Sequence, residues 1–166
     1  MKVSFNIKLA AQDLFKFNII QAYRGVQGFL SILLPVLIFS YAATSFGQVS
    51  IGYTLLYVGL GILFLVYVPV SLWMRVKKTI SDPNNALSKT LHYEFAEEGI
   101  RVSVEEDSVE FKWENIFQMK ETKDMVLVYT NRINAYIIPK NQLADNYKQL
   151  SELAHKKLEK YRIKMK

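Results

Sequence analysis

The chain has 166 residues, a formal net charge of +6 and no cysteine. This length leaves room for one small folded domain beside a membrane segment. The lack of cysteine excludes disulfides, thiolate nucleophiles and cysteine-ligated metal sites, and it suits a reducing compartment.

The first predicted elements are a strand and a helix within residues 1–24. Apolar and polar residues alternate over Val3–Leu9, which is typical of a half-buried strand. From Gln12 to Tyr23 the apolar residues recur at mostly helical intervals, so we predict a juxtamembrane amphipathic helix. The pattern does not fix where the strand pairs. We expect it to join the C-terminal sheet, because it otherwise lacks a partner.

An uncharged apolar run dominates the sequence from Gly25 to Met74. Since about 20 apolar residues cross the hydrocarbon core of a bilayer, the run predicts a transmembrane hairpin. We place the two crossings at about residues 27–46 and 53–73, joined by a short turn at Gly47–Gly52.

Charge predicts the orientation of this hairpin. Basic residues flank it on both sides, whereas the turn between the crossings has none. The positive-inside rule therefore places both termini in the cytoplasm, on a multi-pass protein of the cell membrane. The alternative is a cleaved signal peptide, with small residues near Ser40–Ala42. It is disfavoured because the leader is long and a second apolar span follows at once.

A linker over residues 75–88 leads to a domain over residues 89–166. Short alternating segments there, among them Val109-Phe111-Trp113, predict about six strands joined by turns, hence an antiparallel β-meander. The apolar residues Leu143, Tyr147, Leu150, Ala154, Leu158 and Tyr161 then repeat at three or four residues, so a C-terminal helix is expected to cap the sheet. The predicted fold class is a membrane α-helical hairpin plus an α+β domain.

Short motifs follow one another in a fixed order in the second half of the chain. They are Tyr93-Glu94-Phe95, Glu98-Gly99-Ile100, Trp113, Ile116, Glu121-Thr122-Lys123-Asp124, Ile137-Ile138-Pro139-Lys140 and Leu143. In these motifs the chain resembles the bacterial YcxB-like family, over roughly residues 90–160. The resemblance implies a pleckstrin-homology-like sheet capped by a helix, on a membrane protein without assigned activity. The family supplies no catalytic residues to carry over.

No pattern in the sequence indicates catalysis. The two histidines, His92 and His155, lack convergent partners at ligand or general-base spacing. The acidic runs Glu97-Glu98 and Glu105-Glu106-Asp107 fall in predicted turns, where charged groups are normally solvated. We therefore expect a non-enzyme with no cofactor and no metal.

Basic residues are the candidate contacts for a membrane surface. Each lysine or arginine near an anionic leaflet contributes about 1 kcal/mol of attraction. At the hairpin, such residues can equally serve only to set topology. A nucleic-acid role is disfavoured because no binding module is recognisable. The candidates are Arg24, Arg75, Lys77, Lys78, Lys156, Lys157 and Lys160, with Arg162, Lys164 and Lys166 also in the basic tail.

Three functions remain open from the sequence. The leading one is a non-catalytic membrane-tethered module that engages a membrane protein partner or another copy of itself. The second is a reader of anionic lipid headgroups. The third, an accessory subunit of a transporter, is weakened because the crossings contain no ionisable residue. Trp113 is expected to anchor the core, and Pro139 and Lys140 to mark the junction of strand and helix.

Overall fold

A computed structural model describes residues 2–143 and 145–165 of the chain. The chain divides into two units. One contains the residues up to Leu14 together with those from Lys78 onward, and the other contains Phe15–Lys77. The first unit is therefore discontinuous in sequence, with the apolar unit inserted between its two parts.

The inserted unit is helical. Its two long helices pack through small residues and rings: Gly61 faces Phe39 so closely that a Cβ on Gly61 would lie 2.6 Å from the ring. The rings of Tyr41 and Tyr57 meet edge to face, with centroids 5.1 Å apart. The helices here are α1 (Ala11–Ala22), α2 (Val26–Thr44) and α3 (Ile51–Ser81), the first and last of which extend into the other unit.

Both long helices are long and apolar enough to cross a membrane. The first matches the predicted crossing closely. The second is longer than expected, because α3 continues past Trp73 to Ser81. Arg75, Lys77 and Lys78 therefore lie on the last turns of a helix, and the linker begins only at Asp82.

The other unit contains a sheet to which both ends of the chain contribute. Its order is β1-β2-β3-β4, with every neighbouring pair antiparallel. Pairing of β1 with β2 confirms the expectation that the N-terminal strand joins the C-terminal sheet. The strands are β1 (Val3–Lys8), β2 (Thr90–Phe95), β3 (Ile100–Val104) and β4 (Asp107–Phe111).

A second four-stranded sheet follows, so the strands do not form one continuous meander. A 3-10 helix at Trp113–Asn115 separates β4 from the next strand. The order is β7-β6-β5-β8, and the pairing is antiparallel except that β8 runs parallel to β5. The strands are β5 (Gln118–Glu121), β6 (Met125–Tyr129), β7 (Ala135–Pro139) and β8 (Ile163–Lys164), and α4 (Asn146–Lys157) precedes β8.

The core of this unit lies between the inner faces of the sheets and under α4. Every residue of β6 is buried, so both faces of its sheet are covered at the centre. Rings connect the sheets: Tyr136 on β7 meets Tyr93 on β2 and Phe111 on β4 edge to face. The helix α4 buries Leu150 and Ala154 as predicted, and also Leu153, which the predicted stripe did not include. The other end of that stripe was wrong, because Tyr161 is 69% exposed and lies beyond the helix.

Candidate functional site

In the described residues, no group of three or more histidine, aspartate and glutamate residues could hold a metal ion. His92 lies on the exposed face of β2, with Nδ1 2.6 Å from Oδ1 of Asn6 on β1. His155 lies on α4, with Nδ1 2.8 Å from the carbonyl oxygen of Ser151. Both rings serve local hydrogen bonds.

The basic residues of the tail are partly engaged within the domain. Lys156 and Lys157 both approach the carboxylate of Glu97, at 3.1 and 3.6 Å. Its hydrogen bond with Lys156 is the main reason that the pKa of Glu97 is well below its usual range. Lys160 is exposed, and Lys166 lies outside the described residues.

Arg162 and Lys164 of the tail are held in the fold. The guanidinium of Arg162 donates to the carbonyl oxygens of Glu114 and Ile116, at 3.0 and 3.2 Å. Lys164 belongs to β8 and pairs with Lys120 on β5. The sequence analysis took these residues only as part of a basic tail that could contact a membrane, because a strand of two residues is too short to show an alternating pattern.

The basic residues beside the apolar helices are exposed. Arg75, Lys77 and Lys78 project from the end of α3, and Arg24 lies between α1 and α2. The ammonium of Lys77 lies 5.3 Å from the centre of the Trp73 ring, within the range of a cation–π contact. Among the described residues, Arg75, Lys77 and Lys78 form no ion pair, whereas Lys156 and Lys157 on α4 both approach Glu97.

Trp113 closes one end of the sheet from the 3-10 helix, not from β4, where the alternation predicted it. Its indole Nε1 donates to the carbonyl oxygen of Ala96 at 2.8 Å, and its ring lies 6.2 Å from that of Phe95. The side chain is buried. These contacts make Trp113 part of the core.

Lys140 links the end of β7 to neighbouring elements. Its ammonium forms an ion pair with Glu121 on β5 and lies 5.5 Å from the centre of the Tyr147 ring on α4. Pro139 precedes it as the last residue of β7 and pairs with Met125. Burial and a hydrogen bond to Glu121 raise the pKa of Tyr147. The cluster fastens the start of α4 to the sheet.

Comparison with known families bears on this region. Residues 95–154 match the model of the family described as YcxB-like protein. The chain carries a YcxB-like domain over these residues. We refer to the folded unit around them, which also includes β1 and β8, as the YcxB-like domain. The matched segment runs from the end of β2 into α4, so it includes Trp113, Pro139 and Lys140. No curated protein and no solved structure matches the chain.

In the described part of the YcxB-like domain, β4 is an exposed edge strand. In β4, four of five residues are exposed and Phe111 is half-buried. Backbone pairing reaches β4 from β3 alone among the described strands. The alternation of Val109 and Phe111 predicted the strand, but the order of strands, which decides whether it is an edge, is not readable from its sequence.

A groove of about 300 Å³ lies beside this edge. Its apolar floor includes Leu91, Val102 and Val109 of the first sheet and Tyr136 of the second. An ion pair borders it, with Nζ of Lys89 2.8 Å from Oε2 of Glu105. Edge and groove together form one continuous exposed surface that includes Val109.

Proposed function

We propose that this protein is a non-catalytic integral membrane protein. The helices α2 and α3 would form a hairpin anchor in the cell membrane. The YcxB-like domain, of pleckstrin-homology-like type, would act on the cytoplasmic side as a protein-interaction module. A membrane protein or a second copy of the chain would be its partner.

The exposed surface of α2 and α3 supports the anchor. Among the described residues, all but four of the exposed large apolar side chains lie between Val26 and Met74. Monomeric soluble proteins rarely expose contiguous apolar surface on this scale. A bilayer supplies the apolar solvent that such helices require. The four exceptions are Val109, Phe117, Ile133 and Tyr161.

The pairing of β1 with β2 is the observation that carries the two-crossing topology. The two strands pair along their full length, from Val3 opposite Phe95 to Lys8 opposite Thr90. The chain between them contains both apolar helices. Strands in one sheet must lie on the same side of a membrane, so the number of crossings between them must be even. The positive-inside rule then favours the cytoplasm for that side.

Architecture supports the pleckstrin-homology-like assignment. The domain has two four-stranded sheets in contact through Tyr93, Phe111 and Tyr136, and a helix after the last antiparallel strand. The interaction role rests on the open edge of β4 and the adjoining groove. Fold type alone does not assign a function, so the exposed edge is the more specific support.

A cysteine-labelling experiment tests the anchor and its orientation. Because the chain has no cysteine, a single substitution gives an unambiguous label position. In intact cells, a membrane-impermeant maleimide should label Ser50→Cys in the turn between α2 and α3, and should leave Ser88→Cys unlabelled until the cells are opened. Extraction at alkaline pH should leave both variants in the membrane pellet. Release by alkali, or labelling of Ser88→Cys in intact cells, would contradict the proposal.

Binding of anionic headgroups is the second candidate. It is favoured by the exposed cations Arg75, Lys77 and Lys78 at the end of α3. The two candidate functions differ in what they predict when Arg75, Lys77 and Lys78 on α3 are neutralised. Headgroup binding should be lost, whereas binding of a protein partner should be retained. Loss of anionic-lipid preference with the partner retained would separate the two roles.

A further inference from the structure

The edge of β4 differs from the other outer edges in the described residues. On β1, the N–H of Lys8 donates to Oε1 of Gln142 at 2.9 Å, and Nε2 of Gln142 donates back to the Lys8 carbonyl oxygen at 3.0 Å. In the second sheet, β8 is only two residues long, and the ring of Tyr136 on β7 packs against Phe111. No hydrogen bond of this kind reaches the outer edge of β4 in the described residues, and the ring contact of Tyr136 involves only its last residue, Phe111.

An uncovered edge strand is a template for another strand. Soluble proteins usually protect such edges with charge, and β4 carries Asp107 and Glu110. Glu110 is already paired, since Nε of Arg101 on β3 donates to it at 2.6 Å. Val109 remains half-exposed on the groove side. The protection is therefore incomplete at the centre of the strand.

We propose that β4 pairs antiparallel with β4 of a second copy, about a two-fold axis at Val109. This pairing names the partner in the proposed function, and it rests on the membrane anchor. One strand pair is a small interface, so it needs the higher effective concentration of the two domains that confinement in a membrane provides. The two YcxB-like domains then share one continuous eight-stranded sheet.

The charges along β4 indicate that Val109 lies on the two-fold axis of the proposed strand pair. Backbone hydrogen-bonding groups alternate between the two edges of a strand, so self-pairing about a two-fold axis must be centred on one residue. The candidates near the middle of β4 are Ser108, Val109 and Glu110. Centring on Ser108 sets Glu106 against Glu110 of the second copy, and centring on Glu110 sets two glutamates against each other. Both registers oppose like charges, which is destabilising.

Centring on Val109 brings opposite charges together. Glu106, in the turn before β4, then lies beside Lys112 of the second copy, and the two-fold axis repeats the pair. Lys112 has extended backbone angles, φ −71° and ψ 150°, so it can continue the strand. Its described ion-pair partner is Glu114 at 4.0 Å, and both side chains are largely exposed. Glu106 is exposed and has no ion pair among the described residues.

Disulfide cross-linking of the full chain in native membranes tests the register, again because no native cysteine competes. In the proposed register, two Val109→Cys residues have Cα atoms about 4.5–5.5 Å apart, within the range of a disulfide. Ser108→Cys and Glu110→Cys pairs are offset by two residues along the strand, about 6.7 Å in addition to the strand spacing, and are too far apart. Exposed Ile133→Cys reports random collision.

We expect rapid cross-linking at position 109 and only the collisional rate at positions 108, 110 and 133. Cross-linking at 109 no faster than at 133 would overturn the proposal. Dominant cross-linking at 108 or 110 would overturn the Val109-centred register. Carbonate extraction of the same membranes separates this failure from failure of the anchor, because an anchored chain stays in the pellet whether or not it pairs.

Charge reversal supplies a second test without cysteine chemistry. Glu106→Lys or Lys112→Glu alone places like charges at both symmetry-related positions, and should weaken the dimer about tenfold or more in reconstituted liposomes. The double variant Glu106→Lys with Lys112→Glu restores opposite charges and should recover most of the affinity. Equal dimerisation of all four proteins would contradict the proposed register, since a merely structural role predicts no rescue by the double variant.

Discussion

The ring of Phe5, near the N-terminus, stacks on the ring of Tyr93 with centroids 5.8 Å apart and planes inclined by 23°. The two residues are also register partners in the pairing of β1 with β2. Everything between these strands is helical membrane-type sequence and linker. The folded domain therefore cannot be cut out as one continuous C-terminal piece.

Removal of β1 should destabilise the domain. A fragment that starts at Asp82 lacks Val3, Phe5 and Ile7, which are buried at 2%, 7% and 0% exposure. It also exposes the apolar edge of β2, which favours aggregation. Fusing residues 2–10 to Asp82 through a flexible linker should restore a soluble, cooperatively unfolding protein. Gel filtration and thermal unfolding compare the two. A monomeric, cooperative fragment without β1 would contradict the prediction.

A single substitution in the full chain probes the same strand. Ile7→Ala should lower the free energy of unfolding by about 2–5 kcal/mol, because it leaves a cavity at a fully buried position. Ser4→Ala on the exposed face of β1 is the matched control and should change stability by less than about 0.5 kcal/mol. Denaturant titration in detergent checks both. Equal effects would place the strand outside the core.

Packing of α2 against α3 should depend on Gly61. A Cβ at this position would lie 2.6 Å from the Phe39 ring, whereas at Gly59 nothing lies within 4 Å. Gly61→Leu should therefore lower the melting temperature in detergent, and Gly59→Leu should not. Combining Gly61→Ala with Phe39→Leu should recover stability relative to Gly61→Ala alone. A similar loss at both glycines would contradict a specific role of Gly61 in packing, since helix propensity favours leucine over glycine at both positions.

Alkaline pH should destabilise the domain through Tyr93. Burial, with a smaller effect of Tyr136, raises the pKa of Tyr93 well above its usual value. An unfolded tyrosine ionises near pH 10, so the stability linked to neutral Tyr93 is fully present below about pH 10 and falls as the pH rises beyond it. Tyr93→Phe should reduce the fall in the free energy of unfolding at alkaline pH. Tyr136→Phe, at a half-buried position, should reduce it less.

Tyr93→Phe should also be stabilising at neutral pH. The Tyr93 hydroxyl is buried without a hydrogen-bond partner among the described residues, and such a group is unfavourable by about 1–3 kcal/mol. Denaturant unfolding at pH 7 measures the change. A marked loss of stability in Tyr93→Phe would indicate that the hydroxyl has a bonding partner in the folded protein.

Anionic lipid should act through α3 more than through α4. Neutralising Arg75, Lys77 and Lys78 with glutamine should reduce the thermal stabilisation of the purified chain by phosphatidylglycerol over phosphatidylcholine. Lys156 and Lys157 already approach Glu97, so their neutralisation should have the smaller effect. Raising the salt concentration should weaken a purely electrostatic preference. A larger loss of this stabilisation on neutralising Lys156 and Lys157 than on neutralising the residues of α3 would contradict the prediction.

The sequence predicted local structure well, because periodicity reports which face of an element is buried. The alternation over Val3–Leu9 and the helical repeat through Leu150 and Ala154 correspond to β1 and α4. Division of the strands into two sheets was not predicted, since a 3-10 turn at Trp113 has the same apolar signal as one more strand residue. Pairing of β8 with β5 depends on distant contacts, such as that of Arg162 with Ile116.

The candidate contact surface was the least predictable feature. That β4 contains Val109 beside charged residues is visible in the sequence, but its place at the end of the order β1-β2-β3-β4 is a property of the assembled sheet. Similarly, the sequence alone does not distinguish the lysines of α4 from the lysines of α3. Only the fold reveals that Glu97 lies close to two of them.

The place of β1 in the sheet has a consequence for biosynthesis. At 5–20 residues per second, the ribosome needs roughly 4–16 seconds to advance from β1 to β2. Throughout this interval the apolar face of Val3, Phe5 and Ile7 has no strand to pair with. Lys2 and Lys8 bracket that segment, as charged gatekeepers do around aggregation-prone strands. The nascent N-terminus is therefore the point at which a chaperone has the most to protect.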